Sequence, residues 1–281
     1  MMNAMADESN TDPELLSALK EMLQETVAYM KWSEESFDVA SGSSIDLDDR
    51  AFTEVSMRET VMSPIKAAID QLLLTTVTID KWPDGIRGFA HSTLLRSAIT
   101  SASTAVWILE PSSKERRLRA LRVAHENLRN EVNYLSAFDT SSIQDPEFDE
   151  TEAAAYVAAR KSKKEALVQN GIDLGYLRKE ITERAHESKI VDAVSRTMPT
   201  GDEHRYYGAT QLISEWRLLS GRAHGLPWPT TFSDSQPTED PRFEVRTTTL
   251  SLNRILVSIH LALSVVGRAL DTFAELAGVT E

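Results

Sequence analysis

The C-terminal stretch from Thr248 to Ala277, TTLSLNRILVSIHLALSVVGRALDTFAELA, decides the fold. It is rich in Leu, Ile and Val and reads as one long final helix, central to a helical bundle. Its most apolar part, Ile255 to Gly267, includes His260 and two serines. That part is short for a bilayer span and reads as a buried core helix, with no membrane partner.

Working outward from it, the same periodicity recurs. Asp12-Pro13 supplies an N-cap and a first-turn proline, and Leu15, Leu16, Leu19, Met22, Leu23, Val27 and Met30 follow at helical spacing. Ser41 to Ser44 is a loop. Ser63-Pro64 splits the next segment into helices over 47–62 and 64–81, with Ile65, Ala68, Ile69, Leu72, Leu73 and Val77 facing inward. Trp82-Pro83-Asp84-Gly85 ends the second of these. A helix over 87–109 stops at Pro111. Ser112 with Glu115 forms a capping-box pair for a helix reaching Phe138. An acidic loop over Asp139–Asp149 leads to a helix over 150–169 that Asn170-Gly171 closes. Short helices over 173–186 and 188–197, a turn at 199–202 and a helix over 206–220 follow, with Gly221 breaking the last. Gly225 to Arg242 holds four prolines and is irregular; a short strand at 243–247 is expected.

The chain has 281 residues, 41% apolar and 26% charged, with 11 glycines and 10 prolines. That balance suits a globular protein with a real core, and too few turn-formers are present for a many-stranded β fold. The absence of cysteine removes disulfides, thiolate metal sites and thiol nucleophiles, and fits a cytoplasmic location. The N-terminus lacks the basic and apolar blocks of a signal peptide. A net charge of −13 disfavours broad nucleic-acid binding.

Few constellations carry chemistry. A di-iron bundle needs two Glu-x-x-His pairs, and one exists, Glu183 with His186. Zinc motifs, phosphate loops and the Gly-x-Ser-x-Gly elbow are missing, so no metal or cofactor is expected and small-molecule hydrolase chemistry finds no motif. The helix opening at Ser112 carries Lys114, Arg116, Arg117, Arg119, Arg122 and Arg129. Arg116, Arg119 and Arg122 are candidates for an RNA-binding surface, weighed against a solvated face paired with acids such as Glu115 and Glu126.

Arginine with histidine is the remaining candidate. Cutting RNA without a metal needs a group that moves the 2′-hydroxyl proton and a cation for the charge developing on phosphorus. Histidine titrates near neutrality and arginine grips phosphate oxygens in pairs. Arg119–His125, Arg217–His224 and Arg254–His260 have suitable spacings. An offset of six turns two side chains about 120° apart on a helix, whereas the offset of seven at Arg217–His224 returns to one face. A bend at Gly221 would bring His224 closer still. Arg222 is an alternative cation. Trp216 and Trp228 read as packing residues under the Pro-rich segment.

The stretch Arg217-Leu218-Leu219-Ser220-Gly221-Arg222-Ala223-His224 resembles the Arg-x(4–6)-His motif of the HEPN superfamily, with Leu218 where that motif often has a polar residue. Trp216, Ser220-Gly221, His224-Gly225, Leu94 to Ala98 and Ala105 to Trp107 also resemble an uncharacterised family of all-helical actinobacterial proteins, over about residues 90–275. The HEPN resemblance implies an all-α, up-down bundle that dimerises and cuts RNA, in a toxin or phage-defence setting with an antitoxin partner. Residues 1–11 then form a disordered N-terminus, 12–85 are additional N-terminal helices packing on the bundle, and 86–281 are the HEPN-like core with one long loop before the last helix. The competing reading is a non-catalytic helical interaction or scaffold protein, in which His224 binds a loop carbonyl and orders the segment behind it.

Overall fold

In the computed structural model, residues 12–34, 39–109, 112–137, 150–198, 211–229, 235–237, 244–246 and 250–279 are described. The chain is all-α. Ten α-helices lie among the described residues: α1 (Pro13–Glu34), α2 (Ser44–Ala51), α3 (Met57–Lys81), α4 (Gly88–Ile108), α5 (Ser113–Ser136), α6 (Glu150–Asp173), α7 (Arg178–Ile181), α8 (Glu187–Ser195), α9 (Gln211–Ala223) and α10 (Leu252–Ala277). A three-residue pair, β1 (Ser235–Pro237) and β2 (Glu244–Arg246), runs antiparallel with Gln236 opposite Val245, so the expected strand is present in shorter form. The expectations over 1–11, 139–149, 199–202 and the start of the 206–220 helix lie outside the described residues.

Helix starts follow their caps. The Asp12 carboxylate accepts from the Glu14 N–H (2.9 Å), and Ser43 Oγ accepts from the Asp46 N–H (3.3 Å), which starts α2 at Ser44 rather than 47. Ser112 does occupy the N-cap of α5, but its side chain makes no capping bond there. Glu115 instead lies 3.8 Å from Arg119.

Pro64 does not divide the second segment. α3 runs through it from Met57 to Lys81. The ring removes one backbone hydrogen bond and crowds the preceding turn, a cost of about 3 kcal/mol. Burial of Val61, Met62, Ile65, Ala68, Ile69 and Leu72 on both sides of the proline offsets it. Val77 is exposed, and the inward stripe continues instead through Thr75, Thr76 and Ile79. The two hydroxyls donate to the Gln71 and Leu72 carbonyls (2.8 and 2.9 Å), so these threonines present a methyl and no unpaired polar group to the core.

The chain divides into two compact units. The first comprises residues 1–36, 63–106 and 187–272. Its core takes Leu19 from α1, Ile65 and Leu72 from α3, Leu95 and Ile99 from α4, Val191 from α8, Leu219 from α9 and Ile255, Ile259 and Val266 from α10, all buried. Gly267 on α10 lets Tyr29 of α1 approach closely, since an added Cβ would sit 2.6 Å from the phenol oxygen. The second unit comprises residues 37–62, 107–186 and 273–281. There α5 packs against α2, α6 and α7. Asp48 of α2, fully buried, pairs with both Arg116 and Arg117, and Asn170 of α6 donates to the Ala51 carbonyl (3.2 Å).

α10 has 26 residues and, among the described residues, is the one helix long and apolar enough to cross a membrane by length and composition. The sequence reading counted its apolar part too short, because it stopped at Gly267; Ala269, Leu270 and Phe273 extend it. In the structure 61% of its most apolar window is buried within the protein.

Candidate functional site

The candidate pair sits on α9, in the first unit. Leu212, Ile213, Glu215, Trp216, Leu219 and Arg222 form the buried face of this helix. Ser214, Arg217 and His224 are exposed. Gly221 is buried and lies within the helix, so it does not break it. The stop comes four residues later. Gly225 has φ +65°, the Leu226 N–H reaches back to the Gly221 carbonyl (2.9 Å), and the Gly225 N–H reaches the Arg222 carbonyl (2.9 Å). This is a Schellman closure with His224 as its C-cap residue, its N–H on the Ser220 carbonyl at 3.1 Å. α6 ends in the same way at Gly175 rather than at Gly171, and Gly171 also stays helical.

Gly221 is a glycine for want of space. A Cβ there would meet Pro229 Cγ at 2.5 Å and the Trp228 ring at 2.6 Å. The chain that leaves α9 therefore folds back over its last turn, and the Trp228 indole lies on Gly221. Trp228 remains 43% exposed, while Trp216 is buried. The two tryptophans thus differ: Trp216 is a packing residue, and Trp228 is both packed and displayed.

Arg217 and His224 do not need a bend to share a side of the helix. Seven residues at about 100° each leave them about 20° apart around the axis and about 10 Å apart along it. Gly221 falls between them on the same stripe. Both side chains are exposed, and among the described residues neither makes a hydrogen bond or ion pair; most of the segment that His224 would anchor lies outside the described residues. In the other two pairs the side chains are engaged elsewhere. Arg119 donates to the Trp107 carbonyl (2.8 Å) and lies over its ring (5.0 Å), while His125 is buried, with a pKa lowered first by desolvation and then by Lys164 and Arg129. Arg254 pairs with Glu215.

Arg222, the alternative cation, is 3% exposed and does not join the stripe. Desolvation lowers its pKa, Arg254 adds to that effect and Glu215 opposes it. Glu215 is the hub of this buried seam, accepting from Arg254 and from Ser258 Oγ (2.6 Å). The other flank of α9 is held by Arg96 of α4. Its Nε–H donates to Ser220 Oγ (2.9 Å), its Nη2 to Glu187 (2.6 Å), and its guanidinium lies 5.3 Å from the centre of the Trp216 ring. Trp216 Nε1–H donates to Thr100 Oγ1 (2.8 Å). Sequence reasoning did not single out Arg96 or Glu215. Arg96 lies within the Leu94–Ala98 stretch of the resemblance but has no role assigned there, Glu215 stands in no motif, and their partners are 39 or more residues away along the chain.

The basic stretch of α5, in the second unit, is turned inward. Arg116 is 2% exposed and held by Asp48, which rules it out as a surface phosphate ligand. Arg122 donates to the Glu180 carbonyl (2.7 Å) and pairs with Glu183 (2.7 Å). With Arg119 on Trp107, these arginines cement the unit instead of forming a phosphate-tracking stripe. The Glu183 of the lone Glu-x-x-His pair is thereby engaged as well. Among the described residues no group of three or more His, Asp or Glu side chains is placed to hold a metal ion. Compared with protein-family models, curated proteins and solved structures, the chain matches none.

Proposed function

We propose that the chain is a HEPN-like, metal-independent RNA endoribonuclease whose working groups are Arg217 and His224. One observation carries the reading: both side chains lie exposed on a single stripe of α9, with no internal partner among the described residues, while the neighbouring charges Glu215 and Arg222 are buried and paired off. In this reaction His224 takes the proton from a ribose 2′-hydroxyl. The 2′-oxygen bonds to phosphorus and the bond to the 5′-oxygen breaks, leaving a 2′,3′-cyclic phosphate. The proton passes to the departing 5′-oxygen. Arg217 neutralises the charge that builds on the non-bridging oxygens. A homodimer, a toxin or phage-defence role with an antitoxin partner, and a cytoplasmic location belong to the same reading.

Overexpression of wild type beside Arg217→Ala and His224→Ala, with total RNA run on a gel, tests it. Each variant is expected to fold and to lose about 10²-fold or more in cleavage, the usual cost of a missing charge stabiliser or proton-transfer group. Fragmentation by His224→Ala at the wild-type rate would end the proposal.

A non-catalytic interaction protein is the second reading, and one observation favours it. Leu74, Val77 and Trp82 are exposed along the end of α3 and the turn that follows. It requires RNA to stay intact in cells making wild-type protein.

A further inference from the structure

The geometry points to Trp228 as a stacking platform for an unpaired nucleobase, held beside the Arg217–His224 stripe; the inference rests on the ribonuclease reading and names its substrate as single-stranded RNA. Three observations lead there. First, Trp228 is fixed rather than loose: its ring touches Gly221, where even a methyl group would collide, and Pro229 flanks it. Second, 43% of the residue is still open to solvent, an unusual exposure for an indole anchored in this way. Third, Gly221 lies between Arg217 and His224 along the helix, about 6 Å from the first and about 4.5 Å from the second in axial rise. The platform is thus built into the interval between the proposed cation and the proposed base.

The charge balance of the protein gives this platform its purpose. The chain carries a net charge of −13, and the arginines of α5 that could have tracked a backbone are paired internally. α9 has two cations, and Arg222 is buried. An RNA strand at this stripe finds Arg217 as the cation that α9 displays. Affinity drawn from phosphate contacts alone would be poor on such a surface. Stacking on an aromatic ring depends little on charge and tolerates any base, because each base has a π-face. Duplex RNA keeps its bases paired and stacked within the helix, so a lone indole selects single strands, loops and ends.

The test uses the full-length protein in the His224→Ala background, which leaves a labelled single-stranded oligoribonucleotide intact, and measures binding by fluorescence anisotropy. Trp228→Phe keeps a ring; Trp228→Leu fills the space over Gly221 without one. The expected result is binding within about threefold of the parent for Phe and a loss of about 5- to 100-fold for Leu, the range that one stacked base supplies. Thermal midpoints of both variants near that of the parent show that the packing is intact. The affinity is expected to fall with salt with a slope in log–log form of about −1, as for one or two phosphate contacts on a single strand. Equal affinity for the Leu variant and its parent, or a slope steeper than about −3, overturns the platform while leaving the ribonuclease reading standing. Absence of both RNA binding and RNA cleavage by the wild-type protein overturns both.

Discussion

At the residue scale, two glycines, one within α9 and one just past its end, do different work, and substitution separates them. Gly225 has a left-handed backbone and nothing within 4 Å of a Cβ, so it is a glycine for torsion. Gly225→Asn should cost well under 1 kcal/mol and Gly225→Ala about 1 kcal/mol in urea unfolding, because Asn tolerates that conformation better than Ala. Gly221 is a glycine for space. Gly221→Ala gains about 1 kcal/mol of helix propensity but meets two rigid rings, whose displacement costs about 1–3 kcal/mol. The expected result is a net loss of about 1 kcal/mol with a red shift of tryptophan emission as Trp228 lifts away; an unshifted spectrum would contradict the packing. The same division holds at Gly171 and Gly175. Reading each first glycine as the stop was the natural error, since composition does not distinguish a glycine chosen for a tight approach from one chosen for its torsion angle.

At the scale of the element, α9 is held by polar groups on its buried face as much as by apolar ones. Glu215→Ala would leave Arg254 and Arg222 facing each other without their shared anion, and a loss of about 3–5 kcal/mol is expected in chemical denaturation. Trp216→Phe keeps most of the packing and removes the bond to Thr100, for about 1 kcal/mol. Neither substitution touches the exposed stripe, so the proposed ribonuclease reading expects RNA cleavage per folded molecule to persist in both. Helix existence was legible almost throughout, because the 3.6-residue period of Leu, Ile and Val is written into the sequence. The split at Pro64 was not legible correctly, since local backbone chemistry forecast a break that burial on both sides overrides. Val77 and Thr75 exchanged places for a related reason: a threonine that bonds its own helix behaves as an apolar residue.

At the scale of the molecule, each unit contains a buried histidine kept neutral. His91, which takes the Arg87 N–H on Nδ1 (2.9 Å), and His125 both have pKa values lowered from 6.5, chiefly by desolvation. Unfolding lets them bind protons they refuse when folded, so stability is full above pH 6.5 and declines as pH falls below it. Thermal midpoints measured from pH 8 to 5 should be flat above about 7 and drop below 6.5. His125→Gln should shallow the drop; an unchanged slope would count against its buried, neutral state. The shared side of Arg217 and His224 was legible because it follows from helical angle alone. The fate of Arg116 and Arg222 was not, because a charged residue in a sequence carries no sign of whether a distant carboxylate awaits it. Asp48 is 68 residues from Arg116, and Glu215 is 39 from Arg254.

The four-residue interval from Gly221 to Gly225 has a consequence for how such a chain can diverge. One inserted residue between Arg217 and Gly221 would swing Arg217 about 100° away from the stripe that Trp228 and His224 keep. One inserted after Gly221 would do the same to His224 and shift the closing turn. Homologues should therefore vary freely in the identity of residues 218 and 223, keep an apolar residue at the buried position 219 and accept lengthening beyond Pro229, yet show no insertion or deletion from Arg217 to Gly225.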